Sequence, residues 1–315
     1  TGVASAHYGS GVLINPALLA KAKPEDDITV ILPTIGAQIS DKDNLRNKID
    51  NISDDVNAYR RSLNNINLAD LFIPGSPGYR QVCSAAGTLP DQVSSLKGKT
   101  ARAKAGAGMA ITIPNDVLAV AFVAKADARA RVSSYIDQGD IDILRGIQAT
   151  PSKVLTANTN DLKSEGYGRA AIVSDYGVAI ARQFDFGGIP VSFGVTPKLQ
   201  KTWLYNYTVS IYNFSSDDIN SSRYRNDDTG FNVDAGMAAD LSENWTVGLS
   251  GQNLFSRDID TKEVAGVRDT YQIRPLVTAG VAWHTDMLTL SADGDLTETK
   301  GFKSVESSQY VGVGA

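Results

Sequence analysis

From about residue 169 onward the chain repeats one pattern, an apolar side chain at every second position. In FNVDAGMAADL, Phe231, Val233, Ala235, Met237, Ala239 and Leu241 fall on one face, and Asn232, Asp234, Gly236, Ala238 and Asp240 on the other. NWTVGLSGQ, MLTLSADGDL and IPVSFGVTPK alternate likewise: Trp245/Val247/Leu249, Leu288/Leu290/Ala292 and Val191/Phe193/Val195 oppose small or polar residues. A period of two is the geometry of a β-strand with unlike faces, so the chain reads as all-β. Two architectures satisfy it. A soluble sandwich buries the apolar face against a second sheet. A transmembrane barrel turns that face to lipid and keeps small and polar residues inside.

The connections favour the barrel. SEN after Leu241, HTD after Trp283 and FDFGG before Ile189 are short turns, whereas 215–228, 256–269 and 298–308 are long and polar. Short and long connections alternate, as in outer-membrane barrels with tight turns at one end and longer loops at the other. The segments 190–212 and 287–299 exceed the roughly 5–6 residues usual in soluble sheets and reach the ~9–11 that cross a bilayer at a tilt. Trp203, Tyr205, Tyr207, Tyr212 and Phe214 gather on one strand, and Trp245 and Trp283 lie next to turns, where an interfacial girdle would place amphipathic rings.

Strands fall near 28–39, 106–113, 117–130, 169–182, 190–212, 229–241, 245–257, 271–284 and 287–299, and a tenth begins at Gln309. Bacterial barrels close on an even strand number. With QYVGVGA stopping in mid-alternation, further strands are expected beyond the tenth. The organisation is then a plug over 1–25 and a barrel over 26–315, with helical insertions at 40–105 and 131–168.

Within the first insertion, Leu45, Ile49, Ile52, Val56, Tyr59, Leu63 and Ile66 are spaced 4, 3, 4, 3, 4 and 3 apart. That is the stripe of an amphipathic helix, with Ser40 or Asp41 as its cap. FIPGSPG then reads as a breaker, DQVSSLKG as a weaker helix, and 133–147 as a second helical patch. The stripe could pack as a lid over the barrel or pair with another protein.

The stretch SGVLINPALLAK, residues 10–21, cannot be a strand. Asn15 suits a helix cap and Pro16 a first helical turn. Before a barrel it becomes a candidate plug, with Val12, Leu13, Leu18 and Leu19 as its apolar contacts.

Little in the composition points to chemistry. The net charge of −5 argues against a nucleic-acid partner, and one cysteine, Cys83, excludes an internal disulfide. Two histidines, His7 and His284, build no metal constellation. No nucleophile elbow, HExxH or phosphate-binding loop occurs, so no catalytic residue, metal or cofactor is expected and the chain reads as non-enzymatic. Asp234, Asp240, Asp293 and Asp295 sit on polar strand faces, where they would meet interior Lys or Arg, or water.

The N-terminal Asn15, Pro16, Ala17 segment, set before a barrel with alternating turns and partly helical loops, resembles the long-chain fatty acid transporter family of outer membranes. IPVSFGVTPKLQ and FNVDAGMAADLSENWTVGLSGQNL look closer still to the TraF-like proteins of conjugal transfer. The resemblance implies a 14-stranded barrel, about ten strands of it in this chain, with an N-terminal hatch that includes Asn15, Pro16 and Ala17. It further implies uptake of hydrophobic or small organic compounds across the bacterial outer membrane, in contact with lipid. The alternative is an outer-membrane protein that transports nothing and serves conjugation or envelope contacts through its helical loops. Either way no nucleic acid is expected as a partner.

Overall fold

The computed structural model describes residues 2–4, 11–21, 28–113, 115, 117–157, 161–305 and 307–315. Its strands are β1 (Thr29–Ser40), β2 (Thr100–Ile113), β3 (Ala119–Tyr135), β4 (Glu165–Phe186), β5 (Ile189–Ser210), β6 (Arg225–Asp240), β7 (Trp245–Gln252), β8 (Arg257–Asp260), β9 (Thr270–Ile273), β10 (Leu276–His284), β11 (Thr289–Asp295) and β12 (Val311–Gly314). Ten of them form one antiparallel sheet, ordered β1-β2-β3-β4-β5-β6-β7-β10-β11-β12, and β8 and β9 pair as a separate hairpin. The sheet is curled into a half-barrel. Residues 2–4 and 11–21 cross its concave side, from Leu13 beside Gly108 of β2 to Gly2 beside Asp293 of β11.

Burial inverts the order of a soluble protein. On β5, Thr196, Lys198, Gln200 and Thr202 are buried, while the intervening Leu199 is 59% exposed. On β6, Asn232 and Asp234 are buried and Phe231 is 51% exposed. Phe193 and Phe231 lie open on the convex side, so the sandwich alternative fails: among the described residues no second sheet covers them.

The exposed apolar side chains form a band. On β5 and β6 it spans 189–199 and 231–241, eleven residues each. At about 3.3 Å per residue and a tilt of about 40°, that is about 28 Å, close to the roughly 25 Å apolar band of outer-membrane barrels. Phe184, Phe186 and Phe193 cluster at the tight-turn end, with ring centroids 6.1–6.4 Å apart. Arg182 interrupts the band there, and its guanidinium lies over the Phe184 ring at 5.2 Å. Above the band, Lys201 meets Asp227 at 2.5 Å and the convex surface turns polar.

Four helices pack above this band: α1 (Leu45–Leu63), α2 (Pro77–Ala86) and α3 (Leu89–Ser95) between β1 and β2, and α4 (Gln138–Ala149) between β3 and β4. Asp41 Oδ1 accepts the Leu45 amide at 2.6 Å, so Asp41 supplies the cap of α1. Leu45, Ile49, Ile52 and Val56 are buried with Val93, Leu96, Ile141 and Leu144 against the outward side chains of Val132, Tyr207 and Val209. Tyr59 and Leu63 pack with Leu71, Val82 and Ile147. The stripe therefore faces the convex wall of the sheet and does not roof the concave side.

Several boundaries differ from the sequence reading. Pairing runs to Ser40, resumes at Thr100, and holds through Tyr135 and from Glu165, so the insertions are shorter than 40–105 and 131–168. The stripe helix ends at Leu63, short of Ile66, and the second patch begins at Gln138 because 133–135 belong to β3. FIPGSPG opens α2, with Ser76 Oγ accepting the Tyr79 amide at 3.1 Å and Pro77 in the first turn. The long loop 256–269 contains β8 and the turn of the β8–β9 hairpin, and Pro275 separates β9 from β10 where one strand over 271–284 was expected. No helix among the described residues is long and apolar enough to cross a membrane.

Asp140 ties α4 to the sheet. Its buried carboxylate accepts the Tyr212 hydroxyl at 2.9 Å and the Lys163 and Ser164 amides at 2.8 Å each. Burial, and then this carboxylate, push the Tyr212 phenol far above its ordinary range, which keeps it a neutral donor. Asp140→Ala leaves three donors without their acceptor, two of them buried, and should cost about 3 kcal/mol. Hydrogen exchange checks it: the α4 amides should exchange faster while those of β5 keep their protection.

Candidate functional site

The concave face is graded along its strands. Near the tight turns its side chains are small, and residues 11–21 lie on them. Val12 and Leu19 pack on Ala110, Ala119, Ala121, Ala179 and Ala181, with Leu13 at the border, and Leu18 and Ala17 pack on Ala238. Pro16–Lys21 forms a 3-10 helix whose Ala17 amide donates to Asn15 Oδ1 at 3.1 Å. The buried Asn15 amide donates to the carbonyls of Val3 at 2.9 Å and Met237 at 3.2 Å. Ser250 Oγ donates to the Ile14 carbonyl at 2.7 Å, Lys21 Nζ lies 3.4 Å from Asp240, and the Gly2 amide donates to Asp293 at 2.5 Å.

Glycine makes this seat possible. A Cβ at Gly194 would collide with the Pro16 carbonyl group, and one at Gly236 with Asn15 Oδ1. The two glycines are cross-strand partners on β5 and β6, so together they form a trough at the N-P-A segment. The structure thus brings Asn15, Pro16, Ala17, Val12, Leu13, Leu18 and Leu19 to one seat and puts the stripe of α1 elsewhere. Residues 1, 5–10 (with His7) and 22–25 of the expected plug fall outside the described residues.

Midway along the strands the face becomes polar. Lys198 Nζ on β5 lies 2.8 Å from Asp175 Oδ2 on β4 and 2.9 Å from Asp234 Oδ1 on β6. Lys125 Nζ on β3 lies 3.7 Å from Asp234 Oδ2. Gln200 donates to Asp175 at 2.9 Å and to Asn253 at 3.0 Å, and the Asn253 amide returns to Asp234 at 2.9 Å. Two ammoniums and two carboxylates compensate one another, which a buried charge requires. The sequence reading named Asp234 and missed Asp175, Lys198 and Gln200. Their shared parity with Asp234 across paired strands is the signal, and it needs the register.

Beside this network a cleft of about 360 Å³ is lined by Lys125, Arg129, Asp175, Asn253, Tyr271 and Arg274. Above it the β8–β9 hairpin folds inward: Ile259, Tyr271 and Ile273 pack with Phe302 on Ala171 and Leu204, and Asn206 donates to the Lys262 and Val267 carbonyls at 2.8 Å. The ladder between β4 and β5 is interrupted at one point. Between Gly177↔Lys198 and Ile180↔Val195 two rows lack ladder pairing, and Pro197 there has no N–H to give. An outward groove of about 460 Å³ lies over it, lined by Phe122, Tyr176, Leu199 and Phe231.

Gly236→Val should unseat the N-terminal segment. Overpacking of about 1–3 kcal/mol opens the seat roughly tenfold more often. In a Cys83→Ser background, Leu19→Cys should be closed to a maleimide and become reactive when Gly236→Val is added.

No curated protein matches the chain. A family model described as the F plasmid transfer operon TraF protein matches residues 12–295, and the chain belongs to that family.

Proposed function

We propose that this chain forms the wall and hatch of an outer-membrane β-barrel that admits small organic compounds. The inverted faces carry the reading. Leaving ten large apolar side chains such as Phe122, Phe193, Leu199, Phe231 and Leu290 in water forgoes on the order of 20 kcal/mol. A domain has only about 5–15 kcal/mol of stability in all. Lipid against the band removes that cost. Backbone in lipid tolerates no open edge, so β1 and β12 are joined by further strands, fourteen in all by likeness to the fatty acid transporters.

Residues 2–21 act as the hatch. Their seat combines apolar contact with a few directed hydrogen bonds, which holds the segment without tying it covalently. The Asn15-Pro16-Ala17 motif and its place inside the curl support kinship with the fatty acid transporters. Compounds would enter at the loop end, beneath the β8–β9 hairpin, and pass once the hatch shifts.

A second reading has its own observation. Leu68, Phe72 and Ile73 lie in the helical insertion at 54%, 65% and 55% exposure, above the band. An apolar surface there fits a contact with another envelope protein, in line with a family described by a plasmid transfer operon.

Two measurements separate the readings. Unheated protein should run faster than boiled protein on a detergent gel; equal migration with solubility in plain buffer sinks the membrane claim. Removal of residues 2–21 should preserve that shift and raise the permeation of small organic solutes into liposomes severalfold. A preserved shift with no permeation in either form favours the interaction reading.

A further inference from the structure

The outward positions of the apolar band follow from the strand pairing. From β2 through β7 and on to β10 and β11 they hold apolar or aromatic side chains, glycine or proline, with one charged exception among the described residues, Arg182 of β4. Arg182 is exposed and pairs with Phe193, four rows from the last pair of the β4–β5 hairpin, Phe186 with Ile189. At about 3.3 Å per residue and a tilt of about 40°, that is roughly 10 Å inside the tight-turn end of the band.

The side chain leans toward the turn, with its guanidinium over the Phe184 ring at 5.2 Å. Phe184, Phe186 and Phe193 stand around it with centroids 6.1–6.4 Å apart. A long basic side chain that only seeks water sits at the rim, with the rings of the girdle on its lipid side. Here the order is reversed, because Phe184 and Phe186 lie nearer the turn than the charge does. Asp185, the acid nearest in sequence, has the other parity and accepts the Gly188 amide at 2.7 Å, which commits it to the turn. A charge set behind rings, at the level where acyl chains meet headgroups, suits an anion that belongs to the leaflet itself.

We propose that Arg182 and the three phenylalanines bind one anionic phospholipid at the tight-turn end of the sheet, the guanidinium holding the lipid phosphate and the rings flanking the first acyl carbons. The planar arginine fork matches phosphate oxygens two at a time. The proposal rests on the barrel reading, since a bilayer must meet this face.

Native mass spectrometry of the full chain in detergent, titrated with dioleoylphosphatidylglycerol and with dioleoylglycerol, tests it. One phosphatidylglycerol per chain should be retained at least tenfold more tightly than dioleoylglycerol, which has the same acyl chains and no phosphate. Inorganic phosphate at the same concentration should not displace it, because it offers the rings nothing to hold. Arg182→Gln should weaken phosphatidylglycerol about tenfold, and Arg182→Lys, which keeps the charge and loses the fork, should weaken it less. The shift between unheated and boiled samples on a detergent gel shows whether each variant has kept its fold. Phe184→Leu with Phe193→Leu, which leaves the arginine in place, serves if neither has, and should weaken the lipid severalfold. Equal retention of the two lipids, displacement by inorganic phosphate, or an affinity indifferent to Arg182 overturns the proposal. With the gel shift present, such a result removes the lipid site and leaves the barrel. Without the shift, and with the chain soluble in plain buffer, the barrel falls and this site with it.

Discussion

Strand pairing fixes which side chains share a face, and in this sheet that parity governs the rest of the molecule. Within the band, over 189–199 and 231–241, odd positions are apolar and point away from the N-terminal segment, while even positions are small or polar and point toward it. One residue of slip between two strands would carry Lys198 outward and Leu199 inward. The Lys198 contacts with Asp175 and Asp234 on its two neighbours oppose that slip, because a buried ammonium without its carboxylates is costly. The charge network therefore works as a register lock as well as a lining.

The concave face then changes character along each strand. Alanines and glycines near the tight turns accept a peptide at close range, the charged middle admits only polar neighbours, and Ala171 and Leu204 beyond it receive the β8–β9 hairpin. The N-terminal segment and the hairpin cover opposite ends, and the polar middle with its clefts stays open between them. The helices add nothing to this lining. Gly166 and Gly168 leave room on the convex side, where Phe214 and Ile219 press in below α1 and α4.

Much of this was legible because side-chain period is geometric. Alternation in 229–241 identifies a strand with unlike faces whatever surrounds it, and the apolar content of Val12, Leu13, Leu18 and Leu19 shows that residues 10–21 need cover. What alternation lacks is a sign. It cannot say whether Phe231 faces a core or the outside, and the outward reading came from the ordered connections, the strand lengths and the aromatics near strand ends. The stripe of α1 has the same gap: Leu45, Ile49, Ile52 and Val56 demand a partner without naming it, and the partner is the outer wall. The β8–β9 hairpin escaped notice because its strands are four residues each, too short for a period to register. α2 escaped because Ser76-Pro77-Gly78 reads as a breaker, although the same letters can cap and start a helix. Arg182 needed register too, since only its pairing with Phe193 sets it among the outward rings.

The hydrogen bond from Gly2 to Asp293 spans 291 positions. Contacts of such separation form late, because the chain between them must first be ordered. The trough at Gly194 and Gly236 and the anchor at Asp293 come together only when β5 to β11 are in place. The segment that precedes every strand it rests on is thus the last to find its seat, and its leucines stay uncovered until then.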